Sequence, residues 1–475
     1  MTEQYSCWSR QPRLQPSRVI AVGDRSAAFP ARKAAHERFL PYGNGRSYSD
    51  VCLTDGGVLL LARGMDRFID FDRRLGIIRC EAGVLLSELL AVAMSSGWFP
   101  AVTPGTRYVT VGGAIANDVH GKNHHRAGTF GCHVRELELL RSDGSRLICG
   151  PQRNPGWFEA TVGGLGLTGL ITWAELQLIP VASPFMVVHA RRFANLTEFW
   201  SLNEQSELHH AYTVAWIDCL APAGRTGQGL YFCGDHAPAS VLRATAGKPA
   251  EALFPAEMGN PRATRAPRLH PAGFGGQERE GGWTFPFDPP FSLVNRMSLT
   301  AFNFLYLHRS LPPPGSTTHF DPFFYPLDRL GRWNRVYGPK GFYQYQCVVP
   351  WSDGRAAIDA ILTRISASRQ GSFLAVLKTF GSLRSPGLLS FAREGISLAL
   401  DFPNRGPATH RLLAQLDCIV AEAGGALYPA KDSRMPADMF RSSFPAWERF
   451  LRFRDPAFSS SFASRVGLEE TCAAS

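Results

Sequence analysis

An α+β fold with at least two domains is predicted for this chain by three observations. The 475 residues are 45% hydrophobic, more than one simple core can use. The first third consists of short apolar strands punctuated by glycine and interrupted by one clear helix. From about Pro184 the pattern changes to longer, aromatic-rich strands framed by two helices, which reads as a second sheet.

The early strands are GGVLLLA, LGIIRCEAG, RELELLRSDGSRLIC and LITWAELQLIP, each with apolar alternation flanked by turn residues. The helix is LLSELLAVAMSSGW, residues 85 to about 98, with apolar residues at helical spacing and Gly97 near its end. The later strands are AYTVAWIDCLAP, FYQYQCVVP, SFLAVLKTFG and GISLALDFP. The helices DGRAAIDAILTRISASRQG and ATHRLLAQLDCIVAEAGG, each closed by glycine, frame them. Residues of about 247–290 are rich in Pro, Gly and Arg and predict a loose loop or mobile lid.

Ten cysteines are scattered without a C-x-x-C pair, which excludes a zinc ribbon, a thioredoxin motif and a disulfide scaffold, and fits reduced thiols. The N-terminus has no apolar leader core, and the apolar stretch 165–181 carries Glu175, so neither cleaved export nor a membrane-spanning helix is expected. The expected location is cytoplasmic or peripheral on a membrane face. A net charge of +10 suits an anionic partner: nucleic acid, an acidic membrane surface or a phosphorylated substrate. No Lys/Arg-rich run or binding module supports nucleic acid.

Three glycine-rich stretches carry the chemistry. In PYGNGRSYSD, residues 41–50, Gly43 and Gly45 allow a tight fold that aims backbone N–H groups at one anion; a plain surface turn is the alternative. PGTRYVTVGGAIANDVHG, residues 104–121, repeats the device with Gly105, Gly112 and Gly113, where small residues let a flat ligand approach the backbone. GGLGLTG contains G-x-G-x-x-G at Gly164, Gly166 and Gly169, but a helix precedes it and a strand follows, the reverse of a dinucleotide-binding unit. The histidines of HGKNHH, beside Lys122, are accompanied by no paired carboxylates or cysteines at ligand spacing, so no metal site is expected.

In order and spacing, residues 41–50, residues 104–125 and TVGGLGLTGLI resemble the FAD-binding domain of vanillyl-alcohol oxidase and p-cresol methylhydroxylase flavoproteins. Within that superfamily HGKNHH, YPLDRLGRWNRVYGPKGFYQYQ, SFLAVLKTFG, LDFPNRG and LYPAKDSR resemble the decaprenylphosphoryl-β-D-ribose 2'-oxidase family, over residues of about 41–456. The resemblance implies a PCMH-type FAD-binding fold in two domains. FAD would be carried by residues 1–183 with a C-terminal return over 426–475, and the substrate by an inserted antiparallel sheet plus helices over 184–425.

By the same resemblance the FAD pocket would take Pro41, Gly43, Asn44, Gly45, Arg46, Ser47 and Tyr48 from the first loop. Gly105, Thr110, Val111, Gly112, Gly113, Asn117, Asp118 and His120 would continue it, and Ile171 and Tyr428 would complete it. Arg46 and Ser47 stand where many superfamily members carry a flavin-tethering histidine, so non-covalent FAD is expected. Lys431 would sit at the flavin, where a fixed ammonium stabilises the charge gained on reduction. Lys431, His120 and Tyr48 are the candidates for moving the hydroxyl proton. Lys122, Gln344, Gln346, Lys378 and Ala399 would face substrate, with His124 and His125 ordering their loop. Gln344 and Gln346 alternate with tyrosines and so share one strand face. Ala399 departs from the family members studied as drug targets, which carry a cysteine two residues before the aspartate of DFP; it removes a thiol that alcohol oxidation does not need.

The implied activity is oxidation of the 2'-hydroxyl of a polyprenylphosphoryl ribose, completed to an epimerisation by an NADH- or NADPH-dependent keto-reductase partner. The substrate would be a lipid-phosphate sugar approached from a membrane face. A soluble alditol or aldonolactone oxidase that makes hydrogen peroxide would use the same FAD loops. A non-catalytic flavin-binding scaffold of an epimerase complex is the reading from another class.

Overall fold

The computed structural model describes residues 5–34, 36–240 and 283–469. The expected loop at 247–290 lies outside the described residues as far as 282. Its last part contributes the short strand Trp283–Thr284, paired in parallel with Leu330–Gly331.

The fold is mixed α+β. A three-stranded parallel sheet orders Arg18–Ala21, Val58–Leu61 and Phe39–Tyr42 with Val58–Leu61 in the centre. Beside it lies an antiparallel sheet in the order Phe68–Asp72, Ile77–Glu81, Leu170–Pro180, Val134–Leu140 and Arg146–Cys149, with Trp98–Pro100 also pairing to Leu170–Pro180. The helix Leu86–Met94 covers this layer. Glu88 accepts the Leu85 N–H at 2.7 Å and so caps it.

The third sheet has eight strands, ordered Ser316–His319, Phe185–Phe193, Gly229–His236, Tyr212–Ile217, Ala375–Phe380, Gly395–Pro403, Phe342–Val349 and Ala426–Leu427. Because side chains alternate along a strand, its two faces differ in kind. One face, with Tyr345, Cys347, Leu377, Leu398 and Leu400, is buried under Trp351–Ser368 and Pro407–Glu422. Trp351–Ser368 buries Gly354, Ala357, Ile358, Ile361, Leu362 and Ile365, the spacing of a single apolar stripe. Each fully buried Ile or Leu on it contributes about 1.5–3 kcal/mol. The other face carries Gln344, Gln346, Ala399, Asp401, Lys378, Trp216 and Phe232, and the cross-strand pairs Gln344↔Asp401, Gln346↔Ala399 and Lys378↔Ser397 hold its polar groups in register.

The C-terminal stretch begins in this eight-stranded sheet, through Ala426–Leu427, and Ala437–Ser443 packs into the same core. It then reaches the first layer. The Asp455 N–H donates to the Leu167 carbonyl, Phe39 N–H to Ala457, and Ser459 N–H to Phe39. Among the described residues no helix is long and apolar enough to cross a membrane.

Candidate active site

The polar face of the eight-stranded sheet and the glycine-rich loops of the first layer enclose a cavity of about 510 Å³. One close approach and one left-handed backbone conformation explain why glycine is needed there. A Cβ on Gly43 would lie 2.5 Å from Thr110 Oγ1, where the two loops touch, and Gly45 adopts φ +60°, open to glycine at little cost. Thr110 in turn caps the helix Val111–Ala116 by accepting the Gly113 N–H at 3.1 Å.

The first loop is tied to the end of the chain. Tyr48 N–H donates to the Ala430 carbonyl at 2.8 Å, and Ser49 Oγ donates to the Pro429 carbonyl at 2.8 Å. Arg465 donates to both carboxylate oxygens of Asp50, at 2.7 and 3.1 Å, and also reaches the Asp432 and Met435 carbonyls. These contacts set Lys431 against the first loop, with its Nζ 3.6 Å from the centroid of the Tyr48 ring.

Of the residues expected at the cofactor, Pro41 to Tyr48 apart from Tyr42, then Gly105, Thr110, Gly112, Gly113, Asn117, His120, Ile171 and Tyr428, line the cavity. Lys122, Gln344, Gln346, Lys378, Ala399 and Lys431 line it from the other walls. Val111 and Asp118 do not. Val111 is a core residue at the start of its helix, and the Asp118 carboxylate accepts from the Gly131 N–H and from the Ser385 and Ser390 hydroxyls. Asp118 therefore braces the loop from outside the cavity. His125 Nε2 lies 3.0 Å from the His210 carbonyl, and the buried His124 ring packs 4.5 Å from Phe380, so both hold the loop in place.

His120 has a defined protonation. Gln346 Nε2 can only donate, and it lies 2.9 Å from His120 Nε2, which must accept. Burial, then the charges of Lys378, His124 and Lys431, hold the imidazole neutral well below its usual range. Its proton is consequently on Nδ1, which is buried and has no protein partner among the described residues.

Asp401 is the site residue that the sequence reading missed. It is buried beneath Gln344, whose Nε2 donates to Oδ1 at 2.7 Å, and the Tyr337 hydroxyl also favours its charged form. Burial lifts its carboxyl to about 7 against the opposing pull of Gln344 and of the Lys431 charge. The same burial lowers Lys431 to about 7, with Asp401 opposing it. Strand alternation offered a signal, since Asp401 lies two residues from Ala399 and so shares its face.

Lys122 and Lys378 extend the positive charge. Lys122 Nζ donates to the Phe323 carbonyl and lies over that ring; Lys378 Nζ donates to the Gly121 carbonyl at 3.2 Å. Burial brings each down to about 7, and Lys378 is lowered further by Lys122 and Lys431. Three half-buried lysines that line one cavity are poised to be recharged by an anion.

A pH dependence follows. These lysines have an ordinary value of 10.5 and a folded value of about 7, so between the two the unfolded chain binds more protons and stability rises with pH. Below pH 7 the raised Asp401 carboxyl acts with the opposite sign, and above pH 9 buried thiols such as Cys219 do the same. The melting temperature of the ligand-free protein is therefore expected to rise by several degrees from pH 7 to pH 9, and Lys378→Met to flatten that rise. A profile that the substitution leaves unchanged contradicts the assignment.

The cavity fits FAD. Among the described residues the backbone N–H groups of Asn44, Gly45 and Ser47 have no protein acceptor, and Asn117 Oδ1 is buried without a partner. Buried polar groups are seldom left unpaired, and a row of N–H donors on a glycine loop suits a pyrophosphate. A family model described as an FAD binding domain matches residues 22–150. Over 480 residues the chain is 33% identical to decaprenylphosphoryl-beta-D-ribose oxidase of Mycolicibacterium smegmatis, covering 98% of each chain. The chain belongs to the decaprenylphosphoryl-β-D-ribose oxidase family. Mouse L-gulonolactone oxidase is 28% identical over 182 residues, 37% of this chain, and cytokinin dehydrogenase 2 of Arabidopsis thaliana is 30% identical over 137 residues, 29% of it. As a member of the ribose oxidase family the protein is an FAD-dependent oxidoreductase. Arg46, expected from the sequence where a flavin-tethering histidine could stand, is stacked 4.2 Å from the Trp8 ring centroid, which is consistent with non-covalent FAD.

Proposed function

We propose that the protein oxidises the 2'-hydroxyl of a polyprenylphosphoryl-β-D-ribose to the 2'-ketone, the first half of an epimerisation that a separate NADH- or NADPH-dependent reductase completes. Residues 1–183 with the C-terminal segment carry FAD, and residues 184–425 carry the substrate. The observation that supports this best is the meeting of Lys431 and His120 with Lys122 and Lys378 at one cavity, with Asp401 buried behind Gln344 in its wall, in a chain related over 98% of its length to a ribose oxidase.

Bound FAD supplies the two-electron acceptor. The protein supplies position, charge and a route for the proton. The phosphodiester is held by Lys122 and Lys378, whose ammonium forms return when an anion enters. The sugar receives a hydrogen bond from His120 Nδ1–H. The carbinol hydroxyl loses its proton to Lys431, which lines the cavity, titrates near neutrality and finishes charged, while the Asp401 carboxylate behind the wall favours that ammonium. Tyr48, buried and raised well above 10, stays a phenol and positions the Lys431 ammonium through its ring. Ala399 lies on the same sheet face, paired with Gln346, and takes no part in these steps.

The test is an anaerobic absorbance titration with a water-soluble, short-chain prenylphosphoryl ribose. Loss of the flavin band near about 450 nm is the expected result. If the band persists, and a free polyol or sugar lactone bleaches it, the substrate assignment fails. The lactone oxidase match covers little more than a third of the chain and does not favour that alternative.

A further inference from the structure

The helix Arg296–His308 carries large apolar side chains on its outer as well as its inner face. Its inner face buries Leu299, Asn303 and Leu307, and Asn303 Nδ2 donates to Asp218 Oδ1 at 2.6 Å, which fixes the helix to the body of the protein. Its outer face presents Met297, Phe304 and Leu305, which are 83%, 60% and 68% exposed. The segment leading into it adds Phe287 and Phe291, at 59% and 67%. Large apolar side chains gathered on an exposed helix face mark a docking surface.

Charge and position narrow the occupant. No Asp or Glu occurs from residue 289 to 320, while Arg296 and Arg309 flank the helix and the whole chain carries +10. Basic residues bordering an apolar helical face match an anionic lipid surface, with side chains entering the headgroup boundary and arginines pairing with phosphates. The end of the helix also opens on the active site. Tyr306 and Arg309 line the cavity, and the Tyr306 ring lies 4.7 Å from Trp216 on its sheet wall. A cavity of about 510 Å³ is of cofactor size.

We propose that the outer face of Arg296–His308, with Phe287 and Phe291, docks on an anionic lipid bilayer and holds the cavity mouth against it. The phosphoryl sugar then enters the site while its prenyl tail stays in the hydrocarbon. This rests on the reading of the substrate as a lipid phosphate.

The test uses the FAD-loaded full-length protein, sedimented with vesicles of phosphatidylcholine alone or mixed with phosphatidylglycerol. The wild type is expected to partition onto the mixed vesicles. A Met297→Ser/Phe304→Ser/Leu305→Ser variant, whose changes lie on the solvent side, is expected to partition at least about tenfold less. Its flavin absorbance and its bleaching by the short-chain substrate should be unchanged, while turnover of a long-chain substrate embedded in vesicles falls. Wild-type protein that stays in the supernatant overturns the proposal, as does a variant that binds as well as the wild type. So does a wild-type dimer in gel filtration that the three serines dissociate without any effect on vesicle binding, because a second copy then covers the face. If vesicles bind but no prenylphosphoryl ribose bleaches the flavin, the substrate reading fails and the docking surface stands.

Discussion

Replacing Lys431 by methionine is expected to lower kcat by about 10²–10³-fold while FAD remains bound. Methionine keeps most of the aliphatic stem, so packing against Tyr48 survives and the loss reports charge and proton traffic. The environment of Lys431 makes a charge effect larger than it would be in water. The ammonium is buried, and a fixed charge in a water-poor cavity acts at low effective dielectric. The effect on Asp401 gives a second readout. Lys431 holds the Asp401 carboxyl below the value that burial alone would impose, so its removal pushes that carboxyl further above 7. At neutral pH Asp401 then stays protonated. Asp401→Asn works from the other side. It removes the charge that raises Lys431, so the ammonium deprotonates at lower pH and the rate profile shifts to the acid side. If both groups belong to one proton-accepting unit, the double substitution should cost little more than Lys431→Met alone. Additive losses would separate their roles. Retained flavin absorbance distinguishes every one of these outcomes from failure to fold.

Much of the chain was readable because its patterns are local. The strands around Val58–Leu61, Leu170–Pro180 and Phe342–Val349 and the helices Leu86–Met94, Trp351–Ser368 and Pro407–Glu422 all lie where alternation or helical spacing places them. The glycine loops were legible for a similar reason, since tight backbone approach leaves a compositional mark. Pairing across the sheet left none. Asp401 could be assigned to the face of Ala399 from the strand period, but its position opposite Gln344 depends on a register between segments more than fifty residues apart. Asp118 misled in the opposite direction. It adjoins the pocket-lining Asn117 in sequence, yet positive φ at 118 turns its carboxylate toward Ser385 and Ser390. Arg296–His308 exposes Met297, Phe304 and Leu305 on its outer face, a property that matters to the docking proposal. Leu196–His209 was there to be found. Asn195 caps it by accepting the Glu198 N–H at 3.1 Å, a start signal written in the sequence as an Asn followed three residues later by Glu.

The largest effect on stability is expected at Arg465, far along the chain from the loops it secures. Its guanidinium grips both oxygens of Asp50, whose side chain is only 6% exposed, and the same side chain holds the carbonyls of Asp432 and Met435. One residue thus joins the cofactor loop to the segment that presents Lys431. Arg465→Met removes one partner of a buried pair and leaves the other behind, a change that costs about 3–5 kcal/mol. The sign of its pH dependence can be worked out. Burial already raises the Asp50 carboxyl, and Arg465 opposes that rise. Without the arginine the folded value climbs further, so above the ordinary value of 3.8 the folded state binds more protons than the unfolded one and stability falls as pH increases. Denaturation midpoints should therefore differ more between variant and wild type at pH 8 than at pH 5. Adding Asp50→Asn should restore much of the loss, since a neutral amide has no charge to strand. The FAD should also dissociate more readily from the single variant, because Gly43 to Tyr48 and the Lys431 segment lose their common anchor. If stability falls but FAD affinity and kcat do not, Arg465 secures only the C-terminal segment and the link to the site is wrong.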